Sequence, residues 1–147
     1  MSHEPLVVLD GAHNADGCDA LARWMEGMGA ARRARLCLVF GVLDDKQADA
    51  MMRSIVPLAA RIVLTRGASP RFRDPEALKA AASRLAPDRV TVVSGTRRAL
   101  DDARAWAGSA GAVVVCGSLY LVGEAFEALG MDPYGTAIPG SGPSSER

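Results

Sequence analysis

Leu6-Val7-Val8-Leu9-Asp10-Gly11-Ala12-His13-Asn14-Ala15-Asp16-Gly17 is the stretch whose reading decides the fold. Its first four residues are apolar without alternation, the pattern of a strand covered on both faces. Directly afterwards Cys18, Leu21, Ala22, Met25 and Met28 recur at helical spacing, which predicts an amphipathic helix. The polar residues therefore fall where a strand ends and a helix begins. In an open α/β sheet that edge binds ligands, because a helix N-terminus offers unpaired N–H groups and the positive end of its dipole. Asn14 suits the helix cap and Asp16 its first turn. Capping leaves Asp10 and His13 without a reason. On the residues alone, a ligand role and a structural one both stay open for them.

The same alternation repeats along the chain. Apolar runs at 6–9, 36–40, 61–65, 90–93 and 112–116 alternate with helical patterns. The second helix is expected over 46–56, capped by Asp44 with Gln47 in a capping-box position, and stopped by Pro57. A third opens with Asp74-Pro75-Glu76, a cap, a proline at the first helical position and an acid in the first turn. A fourth spans 96–107. The fifth spans 119–129, with Leu119, Val122, Phe126 and Leu129 as its apolar face and Gly130 as its stop. Strand and helix in alternation predict an α/β fold, a doubly wound, mostly parallel sheet with right-handed crossovers. Residues 1–133 read as one domain, and 134–147, rich in Gly, Pro and Ser, as a disordered tail.

Composition narrows the class. A 147-residue chain with 49% hydrophobic residues and formal net charge zero is an ordinary globular domain with no electrostatic pull towards nucleic acid or a membrane surface. Arginine dominates the cations, and the Arg32-Arg33/Arg35 cluster reads as solvated surface in a helix-to-strand loop. Cys18, Cys37 and Cys116 are odd in number, far apart and set in apolar runs, which fits buried thiols of a reducing cytoplasm. No run is long enough to cross a membrane as a helix.

Two further strand ends carry polar groups. Phe40-Gly41-Val42-Leu43-Asp44-Asp45-Lys46 places a lysine at the expected start of a helix, where the dipole disfavours it. Lys46 is thus either exposed or held for an anion, and the residues favour exposure. Cys116-Gly117-Ser118-Leu119 opens onto a helix, and reads either as an anion site or as a serine cap with a glycine turn. The chain holds no Gly-x-x-x-x-Gly-Lys-Ser/Thr phosphate loop, no Gly-x-Gly-x-x-Gly after the first strand, no Gly-x-Ser-x-Gly elbow and no metal-site spacing.

Leu9-Asp10-Gly11-Ala12-His13-Asn14, Val39-Phe40-Gly41-Val42-Leu43-Asp44-Asp45-Lys46, Ser69-Pro70-Arg71 and Gly117-Ser118-Leu119-Tyr120-Leu121-Val122-Gly123-Glu124 occur in an order that resembles the folylpolyglutamate synthase/dihydrofolate synthase family. The likeness is to its C-terminal, glutamate-ligase domain, which is shared with the Mur ligases and has a Rossmann-like fold, and it covers residues 6 to about 133. Two departures stand out. Ala15 replaces a usual proline, which loosens a turn without removing a functional group, and Phe72 replaces a usual small residue, which is expected to reshape a loop rim.

The resemblance implies ATP-dependent amide formation between L-glutamate and dihydropteroate or a folate glutamyl tail, through an acyl phosphate. It implies that the phosphate loop and the Mg2+ ligands belong to an ATPase domain, the expected partner, which is not in these residues. This chain alone is then expected to be inactive. By the same resemblance Asp10 would reach the ATP ribose, and His13 with Asn14 would face the phosphates, His13 being the candidate nearest the chemistry. Lys46, with Gly117, Ser118 and Leu119, would receive the carboxylates of glutamate. The rival reading is a stand-alone α/β module of the same fold that binds an anion or a protein.

Overall fold

The computed structural model describes residues 4–44 and 46–131. Strands β1 (Leu6–Leu9), β2 (Leu36–Phe40), β3 (Arg61–Leu64), β4 (Val90–Val92) and β5 (Ala112–Cys116) form one sheet in the order β1-β5-β2-β3-β4. Every neighbouring pair is parallel. Parallel neighbours need crossovers, and the helices that make them cover both faces. Helices α1 (Ala15–Glu26), α3 (Ala48–Ile55) and α4 (Pro75–Leu85) pack on one face, against Leu36, Leu38, Phe40, Ile62 and Leu64. On the other, α5 (Thr96–Ala107) and α6 (Leu119–Ala128) pack against Cys37, Val39, Val63, Val113 and Val115. β2 and β5 are buried at every residue, which is why their sequences show no alternation.

Three local expectations are corrected. The segment before α3 does not start a helix at Lys46, nor does Asp44 cap it. The helix begins at Ala48 after Gln47, which makes no side-chain cap bond. Asp44 N–H is instead given to Arg71 O at 2.9 Å, and Leu43 bridges Phe72, so the segment is tied to the loop after β3. α6 turns a different face to the sheet from the one expected. Leu121, Val122 and Ala125 are buried, whereas Leu119 is 62% exposed. The arginine cluster is not merely solvated. A short helix α2 (Ala30–Arg33) precedes β2, Arg32 donates to Gly111 O at 2.7 Å, and Arg35 stacks on the Trp106 ring at 4.1 Å while donating to the Trp106 carbonyl. The expected tail, 134–147, lies outside the described residues.

The three thiols are fully buried. Desolvation pushes Cys37 up to about 12, with the nearby Arg61 opposing in part. The hydrogen bond with Cys18 and complete burial hold Cys116 well above its ordinary value. A thiol whose folded-state pKa is raised binds its proton more tightly in the folded chain. Its contribution is complete below the unfolded value of 9.0 and is lost as pH rises towards about 12. Unfolding free energy, followed by urea titration, should therefore fall across that alkaline window. Replacing Cys37 with Ala should flatten the fall.

At the carboxyl edge the backbone of Gly117 takes φ +111°, and a Cβ there would lie 2.3 Å from Gly41 O. Gly117→Ala should cost at least about 2 kcal/mol, from positive-φ strain and the backbone clash together. Gly29→Ala is the control, since nothing lies within 4 Å of a Cβ at Gly29. Its urea midpoint should stay at the wild-type value while that of Gly117→Ala drops.

Candidate functional site

β5 lies between β1 and β2, and its outgoing helix α6 lies on the opposite face from α1 and α3. Helices leaving in opposite directions part at the carboxyl ends of the strands and open a crevice there. The loops after β1, β2 and β5 meet at this edge. Gly117 N–H donates to Ala12 O at 2.9 Å, and Gly41 N–H to Cys116 O at 3.3 Å.

The loops after β1 and β5 are fixed by their own polar side chains, the loop after β2 by backbone bonds. Asp10 N–H continues the ladder to Val115 O at 2.9 Å, and one carboxylate oxygen accepts Ala12 N–H at 2.8 Å. Asn14 caps α1, accepting Gly17 N–H at 2.8 Å. His13 Nδ1 lies 2.8 Å from Gly11 O; a carbonyl only accepts, so Nδ1 carries the proton and a neutral ring keeps Nε2 as an acceptor. The structural role left open for Asp10 is thus real. It occupies one oxygen and leaves the other without a partner among the described residues.

Ser118 is the cap of α6. Its hydroxyl accepts Tyr120 N–H at 3.0 Å and Leu121 N–H at 3.4 Å, and the residue is 2% exposed. The cap uses the oxygen as acceptor and leaves its proton to donate. Leu119, beside it, leans over the loop after β1, where a Cβ at Gly11 would come within 2.9 Å of its side chain. Lys46 is half-buried, two residues before α3, so it does not stand in the first helical turn. Its N–H bonds Leu43 O at 3.2 Å. Since β2 and β5 are parallel neighbours, the loops bearing Lys46 and Ser118 leave the sheet at the same edge.

Sequence reasoning noted Ser69-Pro70-Arg71 only as a motif. Arg71 extends over Tyr120, 5.7 Å from the ring centre, and bonds its hydroxyl at 3.3 Å, at the head of α6. The signal for this pair was an aromatic residue two positions after a serine cap, where burial could not be its reason; Tyr120 is 51% exposed. Phe72 is 3% exposed and belongs to the core beneath α5 and α6, where it anchors the loop.

Residues 1–119 match the family described as Mur ligase, glutamate ligase domain. A dihydrofolate synthase/folylpolyglutamate synthase of Mycobacterium tuberculosis is 34% identical over 90% of this chain and 30% of that protein. A crystal structure of the Mycobacterium tuberculosis folylpolyglutamate synthase with ADP and AMPPCP superposes with TM-score 0.77 at 34% identity, over 86% of this chain and 30% of that one. The folylpolyglutamate synthase of Thermotoga maritima gives TM-score 0.70 at 33% identity, over 82% and 27% of the two chains. The chain thus spans between 14% and 30% of the length of the curated relatives it matches. With this fold and three strand-end loops meeting at one edge, the chain belongs to the family of Mur ligase glutamate-ligase domains.

Proposed function

We propose that the chain is the amino-acid-binding domain of an ATP-dependent ligase that joins L-glutamate to dihydropteroate or to a folate glutamyl tail. In that reaction the γ-phosphoryl group of ATP passes to the substrate carboxylate, giving an acyl phosphate and ADP. The glutamate amine then attacks the carbonyl carbon, the amide bond forms, and phosphate leaves. The observation that carries the reading is the Gly117–Ala12 hydrogen bond of 2.9 Å, which joins two of the motif loops at the edge where the Lys46 loop also emerges.

The roles follow from which atoms remain available. Asp10 keeps one carboxylate oxygen for the ribose hydroxyls of ATP. His13, its Nδ1 committed to Gly11 O, and Asn14 face the phosphates. Lys46 supplies the charge for one glutamate carboxylate, while the Ser118 hydroxyl and the Leu119 N–H at the head of α6 take the other; Gly117, whose N–H is spent on Ala12 O, holds the turn that presents them. An acidic amino acid needs both kinds of partner, and charge-assisted bonds are the stronger ones. Among the described residues no three His, Cys, Asp or Glu side chains gather to hold a metal ion. The reading therefore gives Mg2+ and the phosphate loop to the ATPase domain, whose bound metal would neutralise phosphate charge. No helix among the described residues is long and apolar enough to cross a membrane, and the reading places the enzyme in the cytoplasm.

Two outcomes test this. The pure 147-residue chain should fold and show no glutamate-dependent ATP hydrolysis, measured by phosphate release. Turnover by the chain alone would overturn the division of labour. Joined to its ATPase domain, Lys46→Met should raise KM for L-glutamate about tenfold to a hundredfold, the loss of about 1.5–3 kcal/mol for a charge-assisted contact. KM for ATP should not move with it. Asp10→Ala should do the reverse.

A further inference from the structure

Glu124 lies on α6, four residues beyond Tyr120, so the two side chains share one face of the helix. Its carboxylate accepts Ala68 N–H at 2.9 Å through Oε2 and the Thr96 hydroxyl at 2.6 Å through Oε1. These partners belong to two different strand ends, the loop after β3 and the first turn of α5. Glu124 also lines a cavity of about 470 Å³ with Arg66, Arg97 and Arg98, yet no ion pair joins it to them among the described residues. A carboxylate beside three guanidinium groups that spends both oxygens on a backbone amide and a buried hydroxyl is placed for geometry. Gly67 allows that placement, since a Cβ there would fall 2.4 Å from Glu124 Oε2.

The loop after β3 is pinned at its ends. Gly95 N–H donates to Arg66 O, and Arg73 N–H to Val42 O. Between those pins the stretch carrying Ser69, Pro70 and Arg71 touches α6 at two points, Ala68 on Glu124 and Arg71 on Tyr120. We infer that Glu124 is a positioning residue for amino-acid binding, holding the loop after β3 on α6 so that Arg71 stands on Tyr120 at the head of the helix that Ser118 caps. The inference rests on the proposed function for what the edge binds, and on the hydrogen bonds alone for the clamp.

The test uses the 147-residue chain in three variants. Glu124→Ala removes the clamp. Glu124→Gln keeps it, because the amide oxygen can accept Ala68 N–H while its NH2 donates to the Thr96 oxygen. Thr96→Val removes one of the two bonds at nearly constant volume and serves if Glu124→Ala does not fold. Amide exchange at Ala68 should rise about tenfold or more in Glu124→Ala, as expected for a lost charge-assisted bond, and stay near wild type in Glu124→Gln. The Tyr120 ring and Arg71 side-chain resonances should move in Glu124→Ala alike. L-glutamate, titrated well below the melting temperature, should bind about tenfold more weakly to Glu124→Ala and recover in Glu124→Gln. A merely structural role would lower the melting temperature and leave that affinity unchanged, which overturns the inference. If the wild-type chain takes no L-glutamate, the proposed site fails instead. The clamp is then decided by the Arg71 and Tyr120 resonances, and their constancy in Glu124→Ala or Thr96→Val overturns it.

Discussion

The close approach of Gly117 to its neighbours is the constraint on which the working edge depends. Its N–H reaches Ala12 O across to the loop after β1, and its Cα faces Gly41 O on the loop after β2. One step further, a Cβ on Gly41 would stand 2.8 Å from Thr65 O at the end of β3. Backbone thus packs on backbone across four strand ends, with no side chain between them. Only a residue without Cβ meets both demands at Gly117, the left-handed φ and the contact. The result is that four loops of different sequence keep one spacing, set by the sheet rather than by side-chain choice.

The sheet order explains why this matters at β5 and not elsewhere. β1 and β2 send their helices to one face, and β5, inserted last between them, sends α6 to the other. The chain must run from β4 at one side of the sheet back to that slot, and α5 makes the return across β2 and β5. A strand inserted last has neighbours on both sides whose loops already turn away. Its own exit is therefore forced into a sharp turn, and Gly117-Ser118 supplies the positive φ and the cap within two residues. Fold and site share one cause.

What could be read in the sequence follows the same physics. β1, β2 and β5, and α5 over Thr96–Ala107, have the bounds their patterns predict, because an unbroken apolar run or a clean helical stripe admits one reading. α2, with four residues, is too short to display a period. The face of α6 was misjudged because Leu119, Tyr120, Leu121 and Val122 are all apolar or aromatic. Such a run defines no stripe, and packing chose the one containing Leu121 and Ala125. The start of α3 was misjudged because the Asp44 backbone is claimed by Arg71, a contact that only the fold supplies. The Asp10, His13 and Ser118 positions were legible, being tied to strand ends. Glu124 was legible only as part of a motif, since its partners lie 56 and 28 residues away in the chain.

The polar groups of the edge divide by how they are held. Asp10, Asn14 and Ser118 each commit an acceptor to the backbone of their own loop, so their positions are settled before any ligand arrives. Such groups lose little freedom on binding and set where a ligand can sit. Lys46 is different: its ammonium has no partner among the described residues, and its long stem carries rotamer freedom of roughly 2 kcal/mol. The cost of ordering it is already contained in the net worth of about 1.5–3 kcal/mol for a charge-assisted contact. In the proposed reading Lys46 therefore supplies charge and affinity, while the fixed head of α6 sets where an acidic ligand sits. There the Ser118 oxygen already satisfies the N–H groups of Tyr120 and Leu121, so in that reading a carboxylate is left the Ser118 hydroxyl proton and the Leu119 N–H, two donors in fixed positions.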